Sequence, residues 1–295
     1  MTQPPPDPDA TPPLPEAMLG LALLVWLVLA IRAVWRQRAL TRQAFVGAPL
    51  RPGRMGLHDL AITAGLVVLG PTFLASAVGG GFRGDSMAQL MLRQMLLSQI
   101  GALPAIAYIF WRADTAVSGG IAGLGLRPRE IPRSLRLAVQ SFMVIYPITL
   151  CISAIVTGIL RMLGHSPPLI AHEALQQLAR EGLGGAAGWG LAFSAVVIAP
   201  VIEEIIFRGM LQSSLLQSGL VVSRWTAIVC SAVPFALIHG SVAPPHAWPA
   251  LYALAVGLGW AYERWGSLWV PIFIHAIFNA VNIVLAMNVD RLVPS

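Results

Sequence analysis

Long apolar stretches, separated by short connections that carry arginine, dominate the chain. About 20 apolar residues in a helix cross a bilayer. On that measure the pattern predicts about eight transmembrane helices, at roughly 17–35, 57–77, 88–111, 137–160, 186–210, 222–239, 247–263 and 267–288. Pro104 and Pro147 fall inside the third and fourth, where kinks are expected. Residues 1–16 hold seven prolines and three acids and read as a disordered, Pro-rich tail. The apolar run after it has no basic flank and reads as a span, not a cleaved signal peptide. Polar connections at about 36–56, 112–136 and 161–185 are too short for a second soluble domain. The expected fold is all-α, a polytopic integral membrane helical bundle with some Pro-kinked helices. It divides into N-terminal transmembrane helices over 17–160 and a transmembrane core over 185–288.

Composition agrees. Hydrophobic residues make up 56% and charged residues 11%, against roughly 25% charged in soluble domains. All 19 basic residues are arginine. They sit in short loops, where they set topology, so the net charge of +6 points to no nucleic-acid partner. Arginine clusters follow the first and third spans, placing the odd-numbered loops in the cytoplasm and both termini outside. The expected location is the bacterial inner (plasma) membrane. Cys151 and Cys230 lie in apolar spans and read as packed thiols. Gly184 and Gly188 offer a small-residue face for close helix packing.

Ionisable groups inside such spans are costly, about 3 kcal/mol each on insertion scales, and mark function. Span five carries Glu203, Glu204 and Arg208. Glu204 and Arg208 are i,i+4 and share a helix face, so Arg208 holds Glu204 ionised. Glu203 is turned about 100° away and is free to face another helix. A desolvated carboxylate beside a like charge suits taking and returning a proton. An ion-pair staple between helices needs one acid, not two. Span six ends with Phe235 and His239, again i,i+4, and span eight carries His275 and Asn279, with Asn282 a turn on. His58, His165, His172 and His246 fall in loops or at span edges. Pro200, Pro234 and Pro271 precede the three sets. Each removes an N–H and would free a carbonyl four residues back, at Val196, Cys230 and Ser267. Residue counts from the turns near Gly219 and Gly266 put Glu203 and His239 about level and His275 lower, a gap that tilt must close.

Glu203-Glu204-x-x-x-Arg208, Phe235-x-x-x-His239 and His275-x-x-x-Asn279, in this order on separate apolar helices, resemble the CPBP family. Its members are the type II CAAX prenyl proteases and the bacteriocin-processing, Abi-like intramembrane proteases. The resemblance covers roughly residues 185–285. It implies hydrolysis of a peptide bond in a membrane-associated peptide or protein. Glu203 would activate water with help from His239, His275 and Asn279 would stabilise the oxyanion, and Glu204 and Arg208 would order Glu203. Glu203, His239 and His275 would also make a His₂Glu zinc site with an open position, while the HExxH helix of zincins is absent. A divalent metal and a metal-free glutamate mechanism both remain open, with preference for the second.

Two other classes compete. A non-proteolytic scaffold or bacteriocin-immunity factor would tolerate loss of Glu203. A proton-coupled transporter would use Glu203 and His239 to carry protons, although no inverted repeat is visible. The arginine count also places the loop after His239 outside, whereas CAAX-type enzymes act on cytosolic C-termini.

Overall fold

The computed structural model describes residues 16–48, 55–78, 85–168, 170, 172–219 and 223–289. The Pro-rich tail expected over 1–16 lies almost wholly outside them. The described residues form a helical bundle. Its helices are α1 (Glu16–Arg36), α2 (Leu57–Val78), α3 (Met87–Gly101), α4 (Leu103–Ala116), α5 (Ile131–Met162), α6 (Glu173–Glu181), α7 (Gly185–Gln217), α8 (Arg224–Ile238), α9 (Trp248–Trp265) and α10 (Trp269–Met287). Among the described residues, five helical stretches are long and apolar enough to cross a membrane: Leu57–Val78, Met87–Ala116, Gly120–Met162, Gly185–Gln217 and Trp269–Met287. The sixth expected span is shorter than expected, because α8 has only 15 residues before His239 turns the chain.

Local chemistry explains several boundaries. Ser86 and Gln89 form a reciprocal capping box at the start of α3. Pro104 follows a break in the third expected span. It sits in the first turn of α4, where its missing N–H costs nothing, and the helix is interrupted at Ala102. Pro147 lies within an uninterrupted α5. Gly266, at φ 66°, closes α9 in the left-handed conformation that ends helices.

The main core joins α4, α5, α7, α8, α9 and α10 around Leu254, Leu258, Tyr262, Ile274 and Phe235, all at most 1% exposed. Gly257 lets α9 lie against Ile145 of α5, with space for no larger residue. The close helix contact predicted at Gly184 and Gly188 is made elsewhere. The atoms nearest a Cβ on Gly188 belong to Gly182 and Leu183 just before it, whereas a Cβ on Gly70 of α2 would lie 2.0 Å from the Gly101 carbonyl. At its start α2 is tied to α4 by Asp59, which is fully buried and accepts from Tyr108 Oη at 2.7 Å and Arg112 Nε at 2.6 Å.

The connection read as polar loop over 161–185 contains α6. Leu175 and Leu178 are i,i+3, Glu173 opens it, and Arg180 lies in its last turn, a start-and-stop pattern visible in the sequence. It packs against α10, and the Glu173 N–H donates to the Val242 carbonyl at 3.1 Å.

Candidate active site

The site begins with an irregularity in α7. Its backbone widens to i→i−5 hydrogen bonding over Ser194–Ile198 and again over Ile205–Gln212, with Glu203 and Glu204 in the α-helical segment between. Such π turns recur at functional sites. The sequence supplies one reason. Pro200 has no N–H, and in the wide register that N–H would have bonded the Ala195 carbonyl five residues back. The Ala199 N–H reaches Ser194 O instead. Ala195 O is then taken by Asn279 Nδ2 from α10, at 2.8 Å. The freed carbonyl is therefore one residue earlier than the predicted Val196. Pro271 frees none, because it lies in the first turn of α10 and Ser267 O accepts from the Val270 N–H.

The two glutamates face different partners. Glu204, fully buried, accepts from Arg208 Nη1 at 3.0 Å and from His275 Nδ1 at 2.9 Å, both at Oε1. Arg208, 1% exposed, also donates to the Ala255 carbonyl of α9 at 3.0 Å, and its guanidinium lies 4.6 Å from the centre of the Phe235 ring. One turn on, Gln212 repeats the pattern by donating to Gly259 O at 3.1 Å and to Glu263 at 3.0 Å. Glu204 and Arg208 thus pair within the bundle, as a low-dielectric interior demands.

Glu203 Oε2 faces both imidazoles, 3.8 Å from His239 Nε2 and 4.0 Å from His275 Nε2. It is buried and has no hydrogen-bond partner among the described residues. His239 Nδ1 lies 2.8 Å from the Phe235 carbonyl, which can only accept, so Nδ1 carries the proton. His275 Nδ1 is held in the same way by the Glu204 carboxylate. When neutral, both rings present a bare Nε2 toward Glu203. Phe235 wedges the pair apart, its ring centre 5.0 Å from that of His239 and 5.8 Å from that of His275. All seven residues singled out from the sequence therefore meet in one place. Arg208, Phe235, His239 and His275 gather around the two glutamates through their side chains, and Asn279 holds the backbone just before them. The gap in depth at His275 is closed.

These acceptors, with each imidazole near 4 Å from Glu203 Oε2, leave room for a water that donates to Glu203 Oε2 and to one imidazole. The same atoms, Glu203 Oε2 and the Nε2 of His239 and His275, would be the ligands of a zinc ion, whose chemistry would be to acidify a bound water. Among the described residues, no three His, Cys, Asp or Glu side chains are grouped to hold a metal ion as they stand. The metalloprotease reading gains no support from their arrangement.

A cavity of about 290 Å³ opens on Glu203 and His239. Its walls come from α2, α3, α7, the turn after His239, and His172 at the start of α6. His172 is the residue that the sequence reading left in a loop. Its Nδ1 accepts the Ala174 N–H at 3.2 Å and caps α6. Burial first, then the charge of nearby His239, pushes its imidazole down to about 4.

Residues 185–281 match the family model for type II CAAX prenyl endopeptidase Rce1-like proteins. This is the family that the three motifs resemble, and the match spans all of them. It supports intramembrane proteolysis at the level of the family. No curated protein and no solved structure matches the chain.

Proposed function

We propose that this protein is an intramembrane endopeptidase in which Glu203 activates water for attack on a peptide carbonyl. The observation that carries this reading is the orphaned, buried Glu203 Oε2 facing two imidazoles whose Nδ1 protons are already committed. A water in that gap gives one proton to Glu203 and directs the other at His239 Nε2. Its oxygen adds to the carbonyl carbon and the oxyanion forms. Glu203 then returns the proton to the leaving nitrogen as the C–N bond breaks, yielding a carboxylic acid and an amine. His275, having taken a proton from solvent at Nε2 before the attack, donates it as a hydrogen bond to the oxyanion and keeps it, with Glu204 at Nδ1 as the balancing charge. Asn279 keeps one amide N–H beyond the one it gives to Ala195 O. The substrate is a membrane-associated peptide or protein, and the lipid bilayer is the solvent of the fold.

The test is cleavage of an internally quenched, prenylated CAAX peptide in proteoliposomes, together with comparative peptidomics of native membranes. Replacing Glu203 by Gln is expected to lower turnover about 10²–10⁴-fold, the range for losing a general acid–base group. Wild-type turnover is expected to persist in a strong divalent chelator. Loss that zinc alone restores would transfer water activation to a metal. A Glu203→Gln protein that still processes would leave a scaffold or a transporter.

A further inference from the structure

We infer that His172 supplies a hydrogen bond to the oxyanion formed in the Glu203 cavity, as a donor outside the three motifs and outside the matched residues. The inference rests on the proteolytic reading and deepens it. The donors assigned above, His275 Nε2 when protonated and the second Asn279 N–H, leave place for one that needs no prior protonation. Glu203 Oε2 accepts, the neutral His239 and His275 rings turn lone pairs toward it, and one Asn279 N–H is committed to Ala195 O. On the cavity wall, the Gln99 side chain is tied to Ser194, and Gln94, Ser98 and Ser241 are exposed. His172 differs from all of these. Because its Nδ1 accepts from the Ala174 N–H, the neutral ring carries its proton on Nε2. That Nε2 makes no hydrogen bond among the described residues, and the ring lines the same cavity as Glu203 and His239.

Its placement is fixed from two sides. The Glu173 N–H donates to Val242 O in the turn just after His239. Helix α6 itself packs on α10, which carries His275. A preorganised donor costs no rearrangement when charge develops. A neutral imidazole also adds no cation beside the attacking water.

The decisive variant is His172→Ser. Serine is a good helix N-cap, so it keeps the capping role and removes only the ring. Turnover of the quenched prenylated peptide by this variant is expected to fall about 10²-fold with KM within about twofold, as for loss of one oxyanion donor. Its unfolding temperature in detergent is expected to match wild type. Wild-type turnover in His172→Ser, or a loss that tracks an equally lowered unfolding temperature, would overturn the donor role. Failure of the underlying reading looks different: wild type and Glu203→Gln would then be equally inactive on the peptide and leave equal peptidomes.

Discussion

Among the described residues, Arg208 and Glu204 form the most deeply buried arginine–carboxylate pair. Both are essentially solvent-free, and the pair also holds His275 and the Ala255 carbonyl. Removing the guanidinium would strand a carboxylate. Arg208→Met is therefore expected to destabilise the fold by about 3–5 kcal/mol, the cost of breaking a buried pair from one side. Reversible unfolding in mixed micelles measures it, and a cost under about 1 kcal/mol would mean that water reaches Glu204. Glu203 is the contrasting residue. Its Oε2 lacks a hydrogen-bond partner among the described residues, so on the proposed function Glu203→Gln is expected to change turnover far more than stability. Most of this chemistry was legible beforehand. The i,i+4 spacing of Glu204 and Arg208 already placed them on one face, and the same spacing joined Phe235 to His239. His172 was not legible as part of the site, because nothing local distinguishes a histidine that caps a short helix from one in a loop.

At the scale of the element, α7 departs from a simple helix in a way that one substitution can probe. Pro200 removes the N–H that the Ala195 carbonyl would use in the wide register, and Asn279 fills that place. Asn279→Ala is expected to cost about 1 kcal/mol, the scale of an interhelical hydrogen bond in a membrane. In a Pro200→Ala background the restored N–H can take Ala195 O, so the same change is expected to cost less. A double-mutant cycle on unfolding free energies reads the coupling, and strictly additive costs would deny the shared carbonyl. The prolines were visible in the sequence, but the rule of a carbonyl freed four residues back presumed an α-helical register. Once α7 widens, the count shifts by one. Helix propensity carries no information about that choice, which depends on α10 bringing Asn279 within reach.

At the scale of the whole molecule, orientation is the open physical variable. Counted over the eight spans expected from the sequence, the arginine clusters after the first and third would place the turn after His239 outside. In a background without Cys151 and Cys230, Ser241→Cys is expected to react with a membrane-impermeant maleimide added from outside, and labelling only from the cytoplasmic face would invert the topology. The sequence by itself determined that the chain is a bundle of apolar helices, and which polar residues share a face on each. Hydrophobic length and i,i+4 spacing are properties of single helices, and each can be read from a contiguous stretch. Tertiary structure alone decided that His275 rises to meet both glutamates, that α2 and α3 meet backbone to backbone at Gly70 and Gly101, and that α6 sets His172 in the wall of the cavity. Those facts depend on how helices distant in sequence tilt and cross. Side-chain volumes and buried polar groups settle that jointly across the bundle, and no single stretch encodes it.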